Sequence, residues 1–369
     1  MPNSKGRSVP DLSPPLLQSI RIRGFRGFED VTIQPLERIN LITGKNNVGK
    51  TAILDAIFVQ LGPNNPELML RTNVFRGIDR FDADSEELWG GFFFNRQIDK
   101  KIEMTTKYSD FSQNILRIAL ESSNRSQMSA KRNANSRLTI SSTTQTKRDE
   151  LVFEYRHGSG GSQFSRASLD ADGELKYERA NVRSLRPGVF FGTRTRFPQE
   201  DAARFSRLER EGRDNEVVNI MKVIDPRLKR LSVLFTGGLP LIHADIGTSE
   251  LIPIPSMGEG MVRILAIILG IISYEGGIIL VDEIENGIHY SVLQSIWSAI
   301  AETAQKYQVQ VFATTHSWEC VQAAHRSFSE RSQYDFRLHR LERSDDSIKV
   351  ITFDKETIET SIEMNFEMR

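Results

Sequence analysis

The chain has 369 residues, of which 39% are hydrophobic and 26% are charged, a composition typical of a globular protein of about two domains. Its 48 Lys and Arg residues equal its 48 Asp and Glu residues in number, which excludes a strongly basic nucleic-acid binder and leaves only local patches for that task. Cys320 is the single cysteine, so no internal disulfide can form and a reducing cytoplasm is the expected compartment.

The chain opens with a polar, proline-rich stretch, residues 1–15, that has no apolar core and predicts a flexible tail rather than a signal peptide. Residues 19–23 alternate polar and apolar side chains, which predicts a strand that ends at Gly24-Phe25-Arg26-Gly27. Residues 31–34 predict a second short strand, and Pro35 then turns the chain toward a third.

The most informative stretch is the loop that follows this third strand. It matches the phosphate-binding pattern G-x-x-x-x-G-K-[ST] with Gly44, Lys45, Asn46, Asn47, Val48, Gly49, Lys50 and Thr51. An apolar run precedes the loop and helically spaced apolar residues follow it, so backbone N–H groups and a helix N-terminus should meet a phosphate there. The pattern predicts that Lys50 reaches the β- and γ-phosphates of ATP and that Thr51 holds Mg²⁺.

The middle of the chain changes character. Residues 63–85 predict a loop with one short helix. An antiparallel meander is predicted next, from an Asp-Gly turn signal at 172–173 and from the short β-type runs 102–104, 115–120, 138–141 and 151–155. Residues 122–136, which include Arg125, Lys131 and Arg132, favour a solvated loop tip, with a contact to a phosphate backbone as the alternative.

Residues 199–224 have a helical pattern that Asp225-Pro226 should stop. Its arginines at positions 204, 207, 210 and 213 interleave with acidic residues, which favours an ion-paired surface over a DNA-facing stripe. Residues 231–235 and 239–245 then predict two strands around Gly237-Gly238.

The second half of the phosphate site is expected at residues 278–283, an apolar run that ends in Asp282 and Glu283. Such a run predicts a strand buried on both faces, and ligands bind at the carboxyl ends of strands in parallel sheets. Asp282 would hold Mg²⁺ through water, and Glu283 would act as the general base. Residues 309–316 predict the next buried strand, so His316 at its end can lie beside the γ-phosphate.

One further segment precedes the acidic strand. Ser256-Met257-Gly258-Glu259-Gly260 leads into a strongly apolar helix, predicted over residues 261–272, which is too short to span a bilayer. Ser and Gly at a helix start predict an anion site. The alternative is a simple helix cap formed by Ser256 or Gly260.

Together these residues resemble ABC-type ATPase heads of the OLD (overcoming lysogenization defect) family and its SMC and RecF relatives. The resemblance makes residues 44–51 the Walker A loop, Asp282 and Glu283 the Walker B acids, residues 285–289 the D-loop and His316 the switch histidine. Ser256, Gly258 and Glu259 match the ABC signature in part. A glutamine of the Q-loop type would be Gln97. No sustained heptad repeat is present, so a long SMC-type coiled-coil arm is not expected.

The resemblance implies an α/β fold, an ABC-type P-loop ATPase head with a mixed or parallel central sheet, an inserted antiparallel meander and a helical lobe. We expect a tail (1–16), a first core segment (17–100), an inserted segment (101–250) and a second core segment (251–369). About fifty residues follow His316, too few for the Toprim nuclease domain of OLD nucleases, so a stand-alone ATPase subunit is expected.

By resemblance, two heads form a head-to-tail homodimer or a higher oligomer that hydrolyses ATP with Mg²⁺. Residues Ser256 and Gly258 of one chain would touch the γ-phosphate held at Lys50 of the other. The expected role is regulation of a separate effector, a Toprim or other nuclease or a toxin, in antiviral defence. A DNA-repair ATPase that binds DNA directly is the alternative, and a transporter ATPase is disfavoured because no membrane segment is predicted.

Overall fold

The computed structural model describes residues 14–78, 85–125, 146–170, 174–182, 185–193, 197–344 and 347–368. The strands are β1 (Leu17–Phe25), β2 (Phe28–Ile33), β3 (Ile39–Gly44), β4 (Ile102–Tyr108), β5 (Gln113–Arg125), β6 (Thr146–His157), β7 (Gln163–Leu169), β8 (Leu175–Glu178), β9 (Gly188–Phe191), β10 (Arg230–Thr236), β11 (Leu239–Asp245), β12 (Ile252–Pro253), β13 (Ile278–Val281), β14 (Gln310–Thr314), β15 (Phe336–Ser344) and β16 (Ser347–Phe353). The α-helices are α1 (Lys50–Leu61), α2 (Glu67–Val74), α3 (Ser85–Gly90), α4 (Pro198–Arg210), α5 (Asp214–Met221), α6 (Glu259–Ser273), α7 (Leu293–Lys306), α8 (Trp318–Ser329) and α9 (Lys355–Glu363).

A six-stranded sheet forms the centre of the molecule, in the order β16-β15-β3-β14-β13-β9. Its strands pair in parallel except at the β15–β16 hairpin. Every residue of β3, β13 and β14 is buried, which explains why these strands are read in the sequence as continuous apolar runs rather than alternating ones. The carboxyl ends of the three strands therefore meet at one edge of the sheet.

Helices and a second sheet cover the two faces of this central sheet. Helices α6, α7 and α8 pack on one face. On the other face lies α1, and beyond it a seven-stranded antiparallel sheet in the order β2-β1-β4-β5-β6-β7-β8. Helix α1 is buried at nine positions because it is enclosed between two sheets, which is the arrangement that a helix apolar all round requires.

The predicted fold class is confirmed, but the strands are distributed differently from the predicted segments. Strand β1, from the first core segment, pairs with β4, and β2 pairs with β1 at the edge, so both belong to the antiparallel sheet. Strand β9, from the segment expected to be an insertion, pairs in parallel with β13 and forms an edge of the central sheet. Alternation identifies a strand and its faces but carries no information about which sheet it joins.

Two predicted helices have different bounds in the structure. The helix predicted over residues 199–224 is two helices, α4 and α5, separated at Gly212, whose φ of 70° is left-handed. Arg213 consequently lies outside α4, while Arg204 is ion-paired with Asp201 at 2.7 Å. Helix α6 begins at Glu259 rather than Met261.

Other predictions hold or fall outside the described residues. The two strands predicted over residues 231–235 and 239–245 are confirmed as the β10–β11 hairpin, and β15 and β16 form a second hairpin. The tail up to residue 13, the run 138–141, the Asp-Gly turn and most of the loop at 122–136 lie outside the described residues. Within the described residues, no helix is both long enough and apolar enough to cross a membrane.

Candidate functional site

The phosphate-loop pattern lies between β3 and α1, at the carboxyl edge of the central sheet. Gly49 precedes α1 with a φ of 104°, and a Cβ atom added there would lie 2.7 Å from the ring of Phe28. Only glycine fits that position, because the backbone is left-handed and the aromatic ring leaves no room. Lys50 extends back over the loop, and its Nζ donates to the carbonyl oxygens of Gly44 at 2.6 Å and Lys45 at 3.1 Å.

Asp282 links this loop to the acidic strand. It follows β13 directly, and its carboxylate accepts hydrogen bonds from the hydroxyl of Thr51 at 3.0 and 3.1 Å. The hydroxyl of Thr314, at the end of β14, donates to the same carboxylate at 2.6 Å. Asp282 is therefore fixed between the ends of three neighbouring elements, as expected where parallel strands end at one edge.

Glu283 lies next to Asp282 in a left-handed backbone conformation, with a φ of 51°. Its backbone N–H donates to the Thr314 hydroxyl at 2.7 Å, and its carbonyl oxygen accepts from Arg263 at 3.0 Å. The same guanidinium donates to the carbonyl oxygen of Asp282. Such a conformation is costly for a residue with a side chain, so the contacts with Thr314 and Arg263 hold it in place.

These groups open into one cleft of about 730 Å³. Its lining residues are Arg26, Gly27, Asn46, Asn47, Val48, Gly49, Lys50, Thr51, Ala52, Arg76, Gly91, Asp282, Glu283, Arg343 and Ile348. Burial lowers the pKa of Lys50, and the carboxylates of Asp282, Glu283 and Glu285 oppose that shift. The cleft thus combines a curled backbone, an ammonium group and two carboxylates, a combination suited to a polyphosphate and its cation.

The donor atoms at the Thr51–Asp282 contact fit Mg²⁺. The hydroxyl oxygen of Thr51 is within 3.1 Å of both carboxylate oxygens of Asp282, so hard oxygen ligands converge at one place. Mg²⁺ prefers such ligands and is commonly held by one or two protein oxygens together with phosphate oxygens. Thr51 and Asp282 are therefore the residues that could hold it.

His316 is close to the cleft but does not line it. Its backbone N–H donates to Oε1 of Glu285 at 3.0 Å, and its Nδ1 lies 3.3 Å from the same oxygen. The imidazole is 57% exposed. Within one described chain, His316 therefore faces solvent beside Glu285 rather than the group of Lys50, Thr51 and Asp282.

The signature-like residues also lie apart from the cleft. Ser256 is exposed within a 3₁₀ turn, Ile254–Met257, and makes no capping bond to α6. Gly258, with a φ of 105°, is the residue that caps the helix, which rules out the alternative of a simple cap formed by Ser256 or Gly260. A Cβ atom added at Gly260 would lie 2.7 Å from the carbonyl oxygen of Gly287, so this segment packs closely on the D-loop of its own chain.

Gln97 does not belong to the cleft either. It follows a 3₁₀ turn, Phe94–Arg96, beside a β-bridge between Phe25 and Phe93, and it lines a separate pocket with Arg23 and Arg117 on the antiparallel sheet. That bridge attaches the segment to the end of β1, but Gln97 is not among the residues that line the cleft of Lys50. The prediction that Gln97 is the Q-loop residue is not supported by this position.

Residues that the sequence patterns did not indicate support the cleft from behind or line it. Thr314 and Arg263 position Asp282 and Glu283, although neither belongs to the matched motifs. Arg26 and Arg76 approach from the turns that follow β1 and α2. In the sequence, Arg26 is only part of the turn that ends the first predicted strand, and Arg76 lies in a segment predicted to be a loop with one short helix.

Comparison with known proteins agrees with this geometry. The family model described as "AAA domain, putative AbiEii toxin, Type IV TA system" matches residues 39–319, about three quarters of the chain. A protein of Helicobacter pylori described as an ATP/GTP phosphatase is 20% identical over 364 residues, which cover 93% of this chain and 97% of that protein.

Two further similarities concern related folds. The DNA replication and repair protein RecF of Teredinibacter turnerae is 39% identical over 79 residues, which cover 21% of this chain and 20% of RecF. A solved structure of an Smc head bound to the C-winged helix domain of ScpA has a TM-score of 0.51 and 14% identity, and covers 95% of this chain and 100% of that one. The latter similarity shows the fold alone. Because the family model spans well over half of the chain, the chain belongs to this family of AAA domains and is an ATPase. Its fold is that of an ABC-type ATPase head.

Proposed function

We propose that the cleft hydrolyses ATP to ADP and phosphate in the presence of Mg²⁺, and that this reaction regulates a separate effector protein in the cytoplasm. The observation that carries the proposal is the bond between Thr51 and Asp282, which joins the phosphate loop to the acidic strand next to Glu283. The loop residues 44–51 would hold the phosphates, with Lys50 reaching the β- and γ-phosphates. Thr51 and Asp282 would hold Mg²⁺, which when bound neutralises charge on the phosphates.

Glu283 is the proposed general base. It lies directly after Asp282, in a backbone conformation held by Thr314 and Arg263, and its side chain lines the cleft. A base in this position could accept a proton from a water that attacks the γ-phosphate. His316, oriented by Glu285, is proposed to join the site when a second chain closes over it.

A head-to-tail dimer explains the residues that remain outside the cleft. Ser256, Gly258 and Glu259 are exposed and do not line the described cleft that contains their own Lys50. Asn286, Gly287 and His289 of the neighbouring D-loop are also exposed, and Tyr290 beyond them is 68% exposed. Exposed signature residues beside an exposed D-loop support a shared site, in which Ser256, Gly258 and Glu259 of one chain approach the γ-phosphate held at Lys50 of the other.

For the effector, we propose a nuclease, of Toprim or another type, or a toxin, with antiviral defence of the OLD kind as the setting. The family description, which names a putative toxin of a type IV toxin–antitoxin system, is consistent with the defence setting. The second candidate is a DNA-repair ATPase that binds DNA directly. The local identity of 39% with RecF favours that candidate.

Two measurements separate these roles. Purification of the chain from its native host, followed by mass spectrometry of bound proteins, should recover a nuclease or toxin if the chain regulates an effector. DNA binding by the isolated chain that is tight at low salt and weakens steeply as salt rises would support the second candidate instead. If no nuclease or toxin co-purifies in stoichiometric amount, and the isolated chain binds DNA in this way, the regulatory role is refuted.

The shared site is tested by mixing two inactive variants. Ser256→Arg should block closure and stop turnover while ATP still binds, because the side chain would lie at the chain interface. A heterodimer of Ser256→Arg with Lys50→Ala contains one site with both residues intact, so up to about half of the activity should return. Full activity of Ser256→Arg alone would eliminate the shared site.

A further inference from the structure

Asp55 is a fully buried carboxylate next to the phosphate loop, and no motif of the sequence assigns it a role. It lies on α1, one helical turn beyond Thr51, and 1% of its side chain is exposed. A buried carboxylate needs charged partners to replace its lost hydration. Burial raises the pKa of Asp55, and the positive charges of Arg26 and Arg76 oppose that shift.

Two arginines from different parts of the chain meet at a single oxygen of this carboxylate. Nε of Arg26, from the turn between β1 and β2, lies 3.1 Å from Oδ2, and Arg76, from the turn after α2, donates a hydrogen bond to the same oxygen. Among the described groups, Oδ1 of Asp55 has no hydrogen-bond partner. Asp55 thus holds two positive charges together that would otherwise repel each other.

The two arginines are held differently. The guanidinium of Arg26 also donates to Thr72 Oγ1 at 2.6 Å and Asn73 Oδ1 at 3.1 Å, and it stacks on the ring of Phe92 at 4.8 Å. The side chain of Arg76 is 34% exposed, compared with 13% for Arg26. Arg26 is therefore a fixed part of the framework, whereas the position of Arg76 depends on Asp55.

Both arginines line the cleft of the phosphate loop, together with Gly49 and Lys50. Asp55 lies behind them, where it lines an adjoining cavity of about 250 Å³ with Thr51, Arg76 and Asp282. Guanidinium groups bind phosphate oxygens through paired N–H donors, and such contacts are strongest when the donors are already in position. The arrangement presents Arg76 toward the place where a polyphosphate would lie.

We propose that Asp55 is a positioning residue for nucleotide binding that acts through Arg76. In the absence of nucleotide, Asp55 holds Arg76 at the edge of the cleft. When a nucleotide binds, Arg76 stays paired with the carboxylate and donates to a phosphate oxygen through its remaining N–H groups, and Arg26 also balances the buried charge of Asp55. This inference rests on the proposed function of the cleft as the ATP site.

The test is a double-mutant cycle on the affinity for a non-hydrolysable ATP analogue, with Asp55→Asn, Arg76→Ala and the double variant. Each single variant should bind the analogue about tenfold more weakly or worse, the size expected for a lost bond to a charged group. The double variant should bind no more weakly than Arg76→Ala, because Asp55 acts through that side chain. Losses that add in the double variant, or tighter binding by Asp55→Asn, would overturn the inference.

Asp335→Asn is the matched control. Asp335 is also a buried carboxylate paired with an arginine, Arg38, at 3.5 Å, but it lies beside the first residue of β3, at the end remote from the phosphate loop. The Asp335→Asn variant should leave the affinity for the ATP analogue unchanged. If Asp55→Asn and Asp335→Asn lose stability alike and both keep wild-type affinity, Asp55 is only structural and the inference fails.

Two further variants decide the inference if Asp55→Asn does not fold or if the cleft does not bind ATP. If Asp55→Asn does not fold, Arg76→Ala decides alone: wild-type affinity refutes the inference, and binding weakened about tenfold in a folded protein supports it. Lys50→Ala tests the underlying site. Wild-type affinity in Lys50→Ala would remove the ATP site itself, whereas lost affinity there with normal affinity in Asp55→Asn and Arg76→Ala would remove only this inference.

Discussion

Thr314 connects the two acids of the site, and its replacement by valine tests whether their arrangement depends on one hydroxyl. The side chain is fully buried, donates to Asp282 at 2.6 Å and accepts from the Glu283 N–H at 2.7 Å. Thr314→Val keeps the shape but removes the first bond, which is worth about 1.5–3 kcal/mol for a charged acceptor, and leaves a buried N–H unpaired, which costs about 1–3 kcal/mol. The added methyl group and the remaining bond from Thr51 offset part of this loss. We therefore expect the free energy of unfolding to fall by about 3 kcal/mol.

The change should also slow hydrolysis, since the left-handed backbone of Glu283 would lose one of its two supports. A displacement of about 1 Å in a catalytic group can cost about 100-fold in rate, so we expect kcat to fall between about tenfold and 100-fold. Unfolding in denaturant and steady-state ATPase turnover measure the two effects.

Two control variants separate the hydroxyl from the rest of the side chain. Thr314→Ser retains the hydroxyl and should keep nearly normal turnover. Thr303→Val makes the same replacement in α7, where the hydroxyl donates only to Ala299 of its own helix, at 2.6 Å. Equal unfolding free energies for Thr314→Val and Thr303→Val, with wild-type turnover in both, would refute the reasoning.

The remaining predictions concern the proposed chemistry. Lys50→Ala should abolish ATP binding, because positioning and neutralisation of the phosphates supply most of this catalysis, and equilibrium dialysis with labelled ATP would measure it. Normal binding and turnover in that variant would move the site elsewhere. Glu283→Gln keeps Asp282 and the shape of the cleft but removes the base, so ATP should bind and persist while dimers or larger assemblies accumulate in size-exclusion chromatography. Wild-type turnover there would make His316 the next candidate for the base.

The contact between the signature-like segment and the D-loop bears on how such assemblies could respond to ATP. Gly260 and Gly287 approach so closely that neither position has room for a side chain, and Glu259 lies in the same contact. Movement of either segment on nucleotide binding would therefore displace the other. This packing within one chain supports the proposal that both segments act at the same interface.

Local patterns in the sequence were sufficient for the parts of the site that are contiguous. The eight residues of the phosphate loop, the apolar runs of β3, β13 and β14, and the acids after β13 could all be identified because each element depends on its own residue types and spacing. The ABC-type fold was predicted from the resemblance of these motifs to known ATPase heads, and it is confirmed.

Tertiary structure decided the rest, because it depends on contacts between residues far apart in the chain. Pairing of β1 with β4, and of β9 with β13, selects between sheets whose strands have similar local patterns. Thr314 reaches Asp282 from 32 residues away, and Arg76 reaches Asp55 from 21. Spacing along the chain does not encode such contacts. They form because α1 packs between two sheets, and this packing brings its polar side chains next to residues from distant parts of the chain.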